Sequence, residues 1–536
     1  MSISYSFHPH DPEIIPPRRL IIPSIHPEST PGKILFGGIS REPLPDLKDV
    51  QGDVVYLFPK RAENFIFFRI ADVPSFKKAL AKFKPSSAHD TASFICEIAK
   101  HNRKGAQADG KPPIIKKASY RIAFSRMGMD YLDVRDETGD ARFGHRAMRD
   151  DKDMLGDQMQ WDPEFNKKDF DPVHGSANKD DGTALHALFG TSIKVVIVLG
   201  GRARPGDNAG HEHFGYKDGI SQPALRKLTT ARPGQIQVNC GVVIIGFKGD
   251  PVIDGAGQCP AWTKGGTVMV FRKLQQYVQL FNAYLEKNGA RWKDFVPPVP
   301  ESQALTDKQG EELWGARLIG RWKSGAPIAL CPYNDNPEVA ANADMNNNFN
   351  YTIDGVNGLT DLFCPFSAHT RKTVPRNIDP YVQRAFLESS MMVRAGLPYG
   401  PEVQPDEDPD KDLRGLLFVS YQSSLDQGFV RQTVSFANND YFPITSLVPQ
   451  HTGQDPIIGG PPAANTSAAV AEVKYDKPPE KEPKTGDLVN LATTSEGNII
   501  QVSGFAKVRP TVFVTSRGGE YFFVLPISTV TKWASS

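Results

Sequence analysis

No segment of the sequence is a long run of apolar residues. A membrane-spanning helix needs about 18 of them in succession, whereas the longest candidates are short runs such as 194–199 and 242–245. Because these runs are short and rich in Val and Ile, we expect buried strands there and no membrane partner. The amino terminus lacks a charged stretch followed by an apolar one, so we expect no secretion signal and an intracellular location, with an extracellular one left open.

The sequence also lacks an excess of charge of either sign. Its 62 Lys and Arg balance 61 Asp and Glu, giving a formal net charge of +1 over 536 residues. The basic residues are scattered along the chain. Nucleic acids and anionic membranes attract proteins through concentrated positive charge, so we predict neither as a partner.

Cysteine is scarce. The five residues are odd in number and include no Cys-x-x-Cys pair, which argues against a disulfide framework and against a zinc ribbon. The remaining composition is typical of a globular enzyme, with 39% hydrophobic and 10% aromatic residues. A chain of this length and composition can bury a large core.

Regular patterns begin only after an irregular amino-terminal segment. Residues 1–45 are rich in proline, which predicts an arm without a core of its own. Residues 65–70 resemble a strand followed by a helical pattern at 75–83, and residues 268–272 lead into a stronger helical pattern at 274–288. Two similar strand-to-helix units about 200 residues apart indicate an internal duplication in a mixed α and β protein.

The carboxyl-terminal region contains another change of composition. Residues 459–487 shift to small residues and proline and then to charge, which predicts an exposed loop. Beyond it, the apolar runs 512–515 and 521–524 flank a Gly-Gly pair. This arrangement predicts a β-hairpin with the glycines in the turn.

Chemical groups are densest in the tract 210–223, which has two histidines, two carboxylates and three glycines before a proline. Gly215 and Gly219 permit backbone geometry that a side chain would forbid, so Asp218 can be held at a fixed angle beside a bulky group such as a cofactor. A polar turn in which Asp218 merely caps a helix is the alternative interpretation.

Three later segments contain isolated polar groups or a strand. Residues 364–373 contain the lone His369, residues 391–400 contain Arg394, and residues 414–422 are predicted to form a buried strand. Taken alone, a single histidine is often a core residue bonded to a carbonyl. A single arginine is often part of a surface salt bridge.

In this order, the Gly-x-x-Asp-Gly turn, the histidine, the arginine and a Leu-x-Phe strand resemble the dye-decolorizing peroxidases, a family of haem enzymes, and their fungal-type members in particular. The resemblance extends over about residues 45–530, with further similar segments at 49–53, 67–70, 123–125, 161–163 and 517–523. It implies an α+β fold of two ferredoxin-like halves, antiparallel sheets covered by helices. Residues 46–232 would carry the Asp218 loop, and residues 233–536 would bind one haem b near the interface of the halves.

The resemblance implies roles for four polar residues. His369 would be the axial ligand of the haem iron, and Asp455 would accept a hydrogen bond from its other ring nitrogen. Asp218 would accept a proton from hydrogen peroxide and return it. Arg394 would stabilise negative charge on the departing oxygen.

Five further residues receive roles in the same way. Leu416 and Phe418 lie two apart on one face of a strand, and they would restrict the distal haem pocket. Arg371 would pair with a haem propionate, and His213 would border the propionates or support the distal loop. Tyr399 would pass electrons from bulky dyes at the surface, with a purely structural role as the alternative.

The implied activity is that of a haem peroxidase, monomeric or dimeric, that reduces hydrogen peroxide and oxidises dyes, phenols or other aromatic donors in one-electron steps. Phe436 stands where related enzymes often carry an oxidisable Trp, which puts one electron route in doubt. A haem-handling protein with little turnover is the first alternative, and it would not need Asp218 and Arg394. A non-haem metal site at 211–213 is the second, although the spacing differs from that of helical zinc hydrolases.

Overall fold

The computed structural model describes most of the chain. The described residues are 43–106, 115–157, 161–166, 173–177, 187–290, 305–352, 363–376, 378, 381–404, 407, 414–439, 441–443, 454–459 and 513–535. Residues 1–42 of the predicted arm and residues 460–487 of the predicted exposed loop lie outside them.

The described residues form eleven strands and thirteen α- or π-helices. The strands are β1 Ala62–Ile70, β2 Tyr120–Phe124, β3 Val173–Ala177, β4 Ile193–Arg202, β5 Ala224–Leu225, β6 Gln237–Val238, β7 Thr267–Gln276, β8 Val393–Arg394, β9 Leu397–Tyr399, β10 Gly415–Gln422 and β11 Val514–Val524. The helices are α1 Val73–Leu80, α2 Ala88–Ala106, α3 Arg126–Tyr131, α4 Ala141–His145, α5 Pro163–Asn166, α6 Pro251–Asp254, α7 Val278–Gly289, α8 Asp307–Ile319, α9 Pro337–Ala341, α10 His369–Thr373, α11 Arg384–Ser389, the π-helix Asp426–Ala437 and α12 Ile527–Ser535.

One antiparallel sheet organises both halves. Its strand order is β4-β1-β3-β2-β11-β7-β10-β8, with β9 also paired to β10. Numbered within each half, the first four strands and the last four follow the same order, fourth, first, third, second. This is the ferredoxin-like order, so the predicted α+β fold of two ferredoxin-like halves is confirmed. The duplication that the two strand-to-helix units indicated is present as β1 with α1 and β7 with α7.

The sheet curls so that its two halves share a core. The halves are joined edge to edge where Phe124 of β2 pairs with Phe523 of β11. At the other end, β4 lies so close to β9 that a Cβ on Gly201 would be 2.8 Å from the Cβ of Leu397. Inside, the rings of Phe65 and Phe67 of β1 lie 5.0 and 4.9 Å from that of Phe271 of β7. Burying these large rings contributes much of the driving force for folding.

Helix α8 leads the chain to the candidate site. It begins at a capping box, in which the Thr306 hydroxyl accepts from the Gln309 amide and the Gln309 side chain accepts from the Thr306 amide. It ends at Gly320, whose φ of 89° is left-handed. A Cβ there would lie 2.0 Å from the Thr370 hydroxyl of α10. Glycine therefore lets α8 end directly against the helix that carries His369.

Three local predictions fail. Residues 242–245 are buried as expected, but they form turns rather than a strand, because burial of an apolar run does not specify its backbone. Residues 194–199 do form part of β4, but none of them is buried, because one side of the strand is mostly exposed and the other is half-exposed. The predicted hairpin is wrong, because Gly518 and Gly519 lie within the continuous strand β11, which pairs with β7 on both sides of an irregularity. The glycines make a bulge instead of a turn.

Candidate active site

A cavity lies between the 212–221 segment and the second half of the chain. Its wall includes four of the residues singled out in the sequence, namely Asp218, His369, Arg394 and Leu416. Segments more than 100 residues apart thus meet at one site.

His369 is the first residue of α10, and it is 5% exposed. Its Nδ1 lies 2.7 Å from Oδ2 of Asp455. The other carboxylate oxygen of Asp455 accepts from the amides of Ile457 and Ile458, at 2.8 and 3.1 Å. A carboxylate at Nδ1 favours the tautomer that carries its proton there, which leaves a lone pair on Nε2 of His369 for a metal.

The Asp218 loop is held by backbone hydrogen bonds on both sides. The Asp218 amide donates to the Gly210 carbonyl at 2.9 Å, and the Lys217 amide donates to the Lys323 carbonyl at 3.1 Å. Gly215 and Gly219 have φ values of 92° and 80°, a left-handed conformation that side-chain-bearing residues rarely adopt. These φ values are consistent with the expectation that Gly215 and Gly219 shape the loop that carries Asp218.

Arg394 is oriented by the same segment. Its Nη2 donates to the Ser221 carbonyl at 2.9 Å, and its backbone exchanges two hydrogen bonds with the Gln222 side chain, at 2.7 and 3.1 Å. Burial lowers the pKa of the Arg394 guanidinium, and the nearby Asp218 carboxylate opposes that shift. The two groups therefore share one electrostatic environment at the cavity.

The Leu-x-Phe pair divides between two environments. Leu416 is buried and lines the cavity. Phe418 is not among the residues that line it, and its ring lies 6.3 Å from that of Phe429. The alternation of side chains along β10 puts both residues on one face. The face extends beyond the cavity, so only Leu416 reaches it.

Arg371 also lies away from the cavity wall. Its Nη1 donates to the Cys364 carbonyl, and its guanidinium stacks 4.0 and 4.6 Å from the ring centroids of Phe366 and Tyr351. These contacts hold the arginine in the packing behind α10, and its expected pairing with a propionate stays a prediction. A neighbouring cation, Arg321, lines the cavity instead.

Arg321 was not singled out in the sequence. It is 3% exposed, and it donates to the Gly325 and Asn346 carbonyls, to the Asn347 side chain and to the Ser221 hydroxyl. Its Nε has no partner among the described residues. Burial, with the positive charge of Arg376 as a second cause, lowers the pKa of Arg321 to about 9. A buried cation with no carboxylate against it in the described part of the chain favours an anionic ligand.

His213 and Tyr399 contact each other at the edge of the site. The ring Nε2 of His213 lies 2.9 Å from the Tyr399 carbonyl. Burial lowers the pKa of His213 to about 4. Tyr399 is half-exposed, and Nζ of Lys273 lies 5.3 Å from its ring centroid. His213 thus joins the 210–223 segment, which carries Asp218, to strand β9 without lining the cavity.

The His-Glu-His segment does not converge on one point. His213 reaches the Tyr399 carbonyl, whereas Nδ1 of His211 lies 3.2 Å from the Ala209 carbonyl. Both carboxylate oxygens of Glu212 accept hydrogen bonds from amides. Across the described ranges, no group of three potential ligands has the geometry of a metal site.

Known proteins resemble this chain over nearly its whole length. Residues 49–205 match the family model described as the DyP dimeric alpha+beta barrel domain. A dye-decolorizing peroxidase of Exidia glandulosa is 36% identical over 494 residues, 90% of this chain and 86% of the relative. One of Auricularia auricula-judae is 35% identical over 500 residues, with the same coverage. The chain belongs to the dye-decolorizing peroxidase family.

Solved structures of dye-decolorizing peroxidases agree with this membership. An ancestral D-type enzyme has a TM-score of 0.77 and 35% identity, covering 92% of this chain and 100% of that one. An enzyme in complex with 2,6-dimethoxyphenol has a TM-score of 0.71 and 33% identity, with the same coverage. This dye-decolorizing peroxidase is therefore an oxidoreductase that consumes hydrogen peroxide, and enzymes of its family carry haem.

The residues of this peroxidase fit a haem group. The cavity offers a buried imidazole whose Nδ1 is already engaged by Asp455, as a metal-ligating histidine requires. It also offers the buried guanidinium of Arg321, which suits a carboxylate such as a propionate. Within the described residues, no helix combines the length and the hydropathy needed to cross a membrane.

Proposed function

We propose that this peroxidase binds one haem b in the cavity, where Nε2 of His369 would hold the iron and Arg321 would pair with a propionate. The haem would supply the iron that exchanges electrons with hydrogen peroxide and with the aromatic donor. Asp455 accepts a hydrogen bond from Nδ1 of His369, and it thereby orients the ring and leaves the lone pair of Nε2 for the iron. The observation that carries the proposal is the meeting of His369, Asp218 and Arg394 at one cavity wall.

Asp218 and Arg394 would divide the work on hydrogen peroxide. The Asp218 carboxylate would accept a proton from one peroxide oxygen and deliver it to the other, so that the O–O bond breaks and the second oxygen leaves as water. The haem would supply the two electrons for this step, and the first oxygen would become a second water once two donor molecules have returned two electrons and two protons. The Arg394 guanidinium stays protonated and donates hydrogen bonds to the oxygen on which negative charge develops. Leu416 narrows the space beside them, which favours a small oxidant.

Reduction would use aromatic donors, by analogy with the relative solved in complex with 2,6-dimethoxyphenol. Each donor molecule gives up one electron, so two molecules return the enzyme to rest for each peroxide consumed. Bulky dyes cannot reach a cavity walled by Leu416 and Arg394 and would react at the surface. Tyr399 supports such a route, since it is half-exposed and its carbonyl contacts His213 in the segment that precedes Asp218.

The central experiment is the absorption spectrum of the haem-reconstituted protein before and after one equivalent of hydrogen peroxide. We expect a Soret band that changes rapidly on mixing, a slowed change in Asp218→Asn and Arg394→Leu, and loss of haem in His369→Ala. A stable Soret band that ignores peroxide would favour a haem-handling protein. Absence of a Soret band would overturn the haem assignment.

The surface route has its own test. Tyr399→Phe should lower the rate with a bulky sulfonated dye by about tenfold and leave the reactions with hydrogen peroxide and 2,6-dimethoxyphenol unchanged. Tyr131→Phe is the matched control, because Tyr131 is 55% exposed and lies outside the site. Equal dye rates in wild type and Tyr399→Phe would rule out Tyr399 as the electron-transfer residue.

A further inference from the structure

Glu212 is a buried carboxylate beside the Asp218 loop that the mechanism above does not use. It is 5% exposed and lines the cavity. Its Oε1 accepts from the Tyr216 amide at 2.8 Å, and its Oε2 accepts from the Phe214 amide at 2.8 Å and from Nε2 of Gln276. Three donors on one carboxylate make a strong, directional anchor.

These bonds fold the loop around the carboxylate. The Glu212 amide donates to the Tyr216 carbonyl at 3.1 Å, and the Gly215 amide donates to the Glu212 carbonyl at 2.9 Å. Arg204 donates to the same carbonyl from outside. Residues 212–216 are therefore a closed turn whose interior is the Glu212 side chain, and Asp218 follows only two residues after it.

Gln276 ties this turn to the sheet. It lies at the end of β7, donates to Glu212, and accepts from the His213 amide at 3.4 Å. Burial raises the pKa of Glu212, the Asp218 carboxylate adds to that effect, and the amide donors oppose it. Burying the Glu212 carboxylate therefore has a desolvation cost, and the hydrogen bonds of Glu212 fix the geometry of the 212–216 turn.

We infer that Glu212 is a positioning residue that holds the Asp218 carboxylate at the angle needed to transfer the peroxide proton. The inference rests on the proposed function of Asp218. A displacement of a catalytic group by about 1 Å can cost on the order of 100-fold in rate. Glu212→Gln keeps the size of the side chain but places an NH₂ group against an amide donor, so the turn must relax.

A double-mutant cycle tests this coupling. In stopped-flow mixing with hydrogen peroxide, we expect Glu212→Gln to lower the second-order rate constant by about 10- to 100-fold. In the Asp218→Asn background, the same change should have no further effect, because Glu212 acts only through Asp218. The rate with 2,6-dimethoxyphenol after peroxide is consumed should stay unchanged.

Hydrogen exchange gives a second readout, measured on the protein with and without haem. In Glu212→Gln the amides of Phe214 and Tyr216 should exchange about tenfold faster. Gln276→Leu removes one donor to Glu212 and should lower the rate constant with peroxide by a smaller factor. This second variant provides a test if Glu212→Gln does not fold. Glu520→Gln is the control, because Glu520 is also a buried carboxylate bonded to two amides but lies outside the cavity wall.

The possible results distinguish the proposed role of Asp218 from the positioning role of Glu212. If Asp218→Asn reacts with peroxide as fast as wild type, the proposed role of Asp218 fails, and the inference fails with it. If Asp218→Asn is slow but Glu212→Gln is as fast as wild type, only the inference on Glu212 is overturned. An equal loss from Glu212→Gln in both backgrounds would also overturn it, since Glu212 would then act independently of Asp218.

Discussion

At the scale of single residues, the side chains at the site are held by partners far away in sequence. His369 is bonded to Asp455 across 86 positions, and His213 to the Tyr399 carbonyl across 186. Each contact fixes the orientation of an imidazole and determines which nitrogen carries its proton. These contacts are therefore where single substitutions should have measurable effects.

His213 should make the protein less stable at acid pH. Burial lowers its pKa from 6.5 to about 4, so between those values the unfolded chain binds a proton that the native protein does not. Stability is thus full above pH 6.5 and falls by up to about 3 kcal/mol as the pH drops to 4. Urea unfolding of the haem-free protein from pH 4 to 8 should show a smaller fall in His213→Gln.

The exposed His145 provides a matched control for this experiment. His145→Gln controls for the loss of an imidazole, because the side chain of His145 is exposed. Identical slopes for wild type and His213→Gln between pH 4 and 6.5 would contradict the prediction.

Arg321 should matter for haem retention. Arg321→Leu removes a charge-assisted hydrogen bond worth roughly 1.5–3 kcal/mol, so we expect haem to dissociate about 10- to 100-fold faster, measured by transfer to an excess of a haem acceptor. Arg371→Leu should lower the unfolding midpoint through the loss of its stacking on Phe366 and Tyr351. Faster haem loss from Arg371→Leu than from Arg321→Leu would reverse the assignment.

At the scale of elements, helix α10, which carries His369, is supported by the π-helix and the residues just after it. The Asp455 amide donates to the carbonyl of Ala437, the last residue of the π-helix, at 2.9 Å. Lys372 of α10 donates to the carbonyls of Asn439 and Phe442. The ring of Phe436 is stacked 3.9 Å from that of Phe442, so Phe436 serves the packing of this support.

Strand β11 depends on a glycine at its bulge. Gly518 has a φ of 149°, and a Cβ there would lie 2.3 Å from the Phe165 ring. We expect Gly518→Ala to lower the free energy of unfolding by about 3 kcal/mol, because the buried Phe165 ring that the Cβ would meet is itself packed against Phe67 and Phe271. Urea denaturation measures this loss.

Gly144 in α4 is the matched comparison. A Cβ at Gly144 would meet nothing within 4 Å, so Gly144→Ala should stabilise the protein by up to about 1 kcal/mol through helix propensity. If both alanine variants unfold at the wild-type urea concentration, the strained bulge does not limit stability.

At the scale of the whole molecule, buried charges lie in the core of both halves. In the first half, Lys60 lies 2.9 Å from Asp53 and 2.5 Å from Glu63, and Arg121 also bonds both carboxylates. Such a network contributes little net stability, but removing one member would leave an uncompensated charge. Between the halves, Glu520 of β11 has amide donors in place of a cation.

Glu520 should change the stability of the protein with pH in the direction opposite to His213. Burial raises its pKa from 4.5 to about 7, so between those values the native protein holds a proton that the unfolded chain has released. Its contribution is full below pH 4.5 and is lost, by up to about 3 kcal/mol, as the pH rises through 7. In urea unfolding, the stability of Glu520→Gln relative to wild type should therefore be greater at pH 8 than at pH 4. A Glu520→Gln curve parallel to wild type from pH 4 to 8 would refute this.

The local patterns of the sequence were enough to predict much of the fold. The spacing of apolar residues indicated the strands β1, β7 and β10 and the helices that follow β1 and β7, although residues 274–276 of the second predicted helix belong to β7. The Gly-x-x-Asp-Gly loop was also recognisable, because glycines with left-handed backbones are needed wherever a carboxylate is held in a tight turn. These features depend on neighbours in the chain.

Tertiary structure decided what sequence spacing cannot. Arg321 and Arg371 are both buried, and only the tertiary structure shows that Arg321 lines the cavity and Arg371 does not. The same holds for Leu416 and Phe418 on one strand face. The glycine pair of β11 could serve a turn or a bulge, and pairing with β7 along its whole length made it a bulge. Orientation towards a cavity and pairing across a sheet arise from contacts between distant segments, which local patterns do not record.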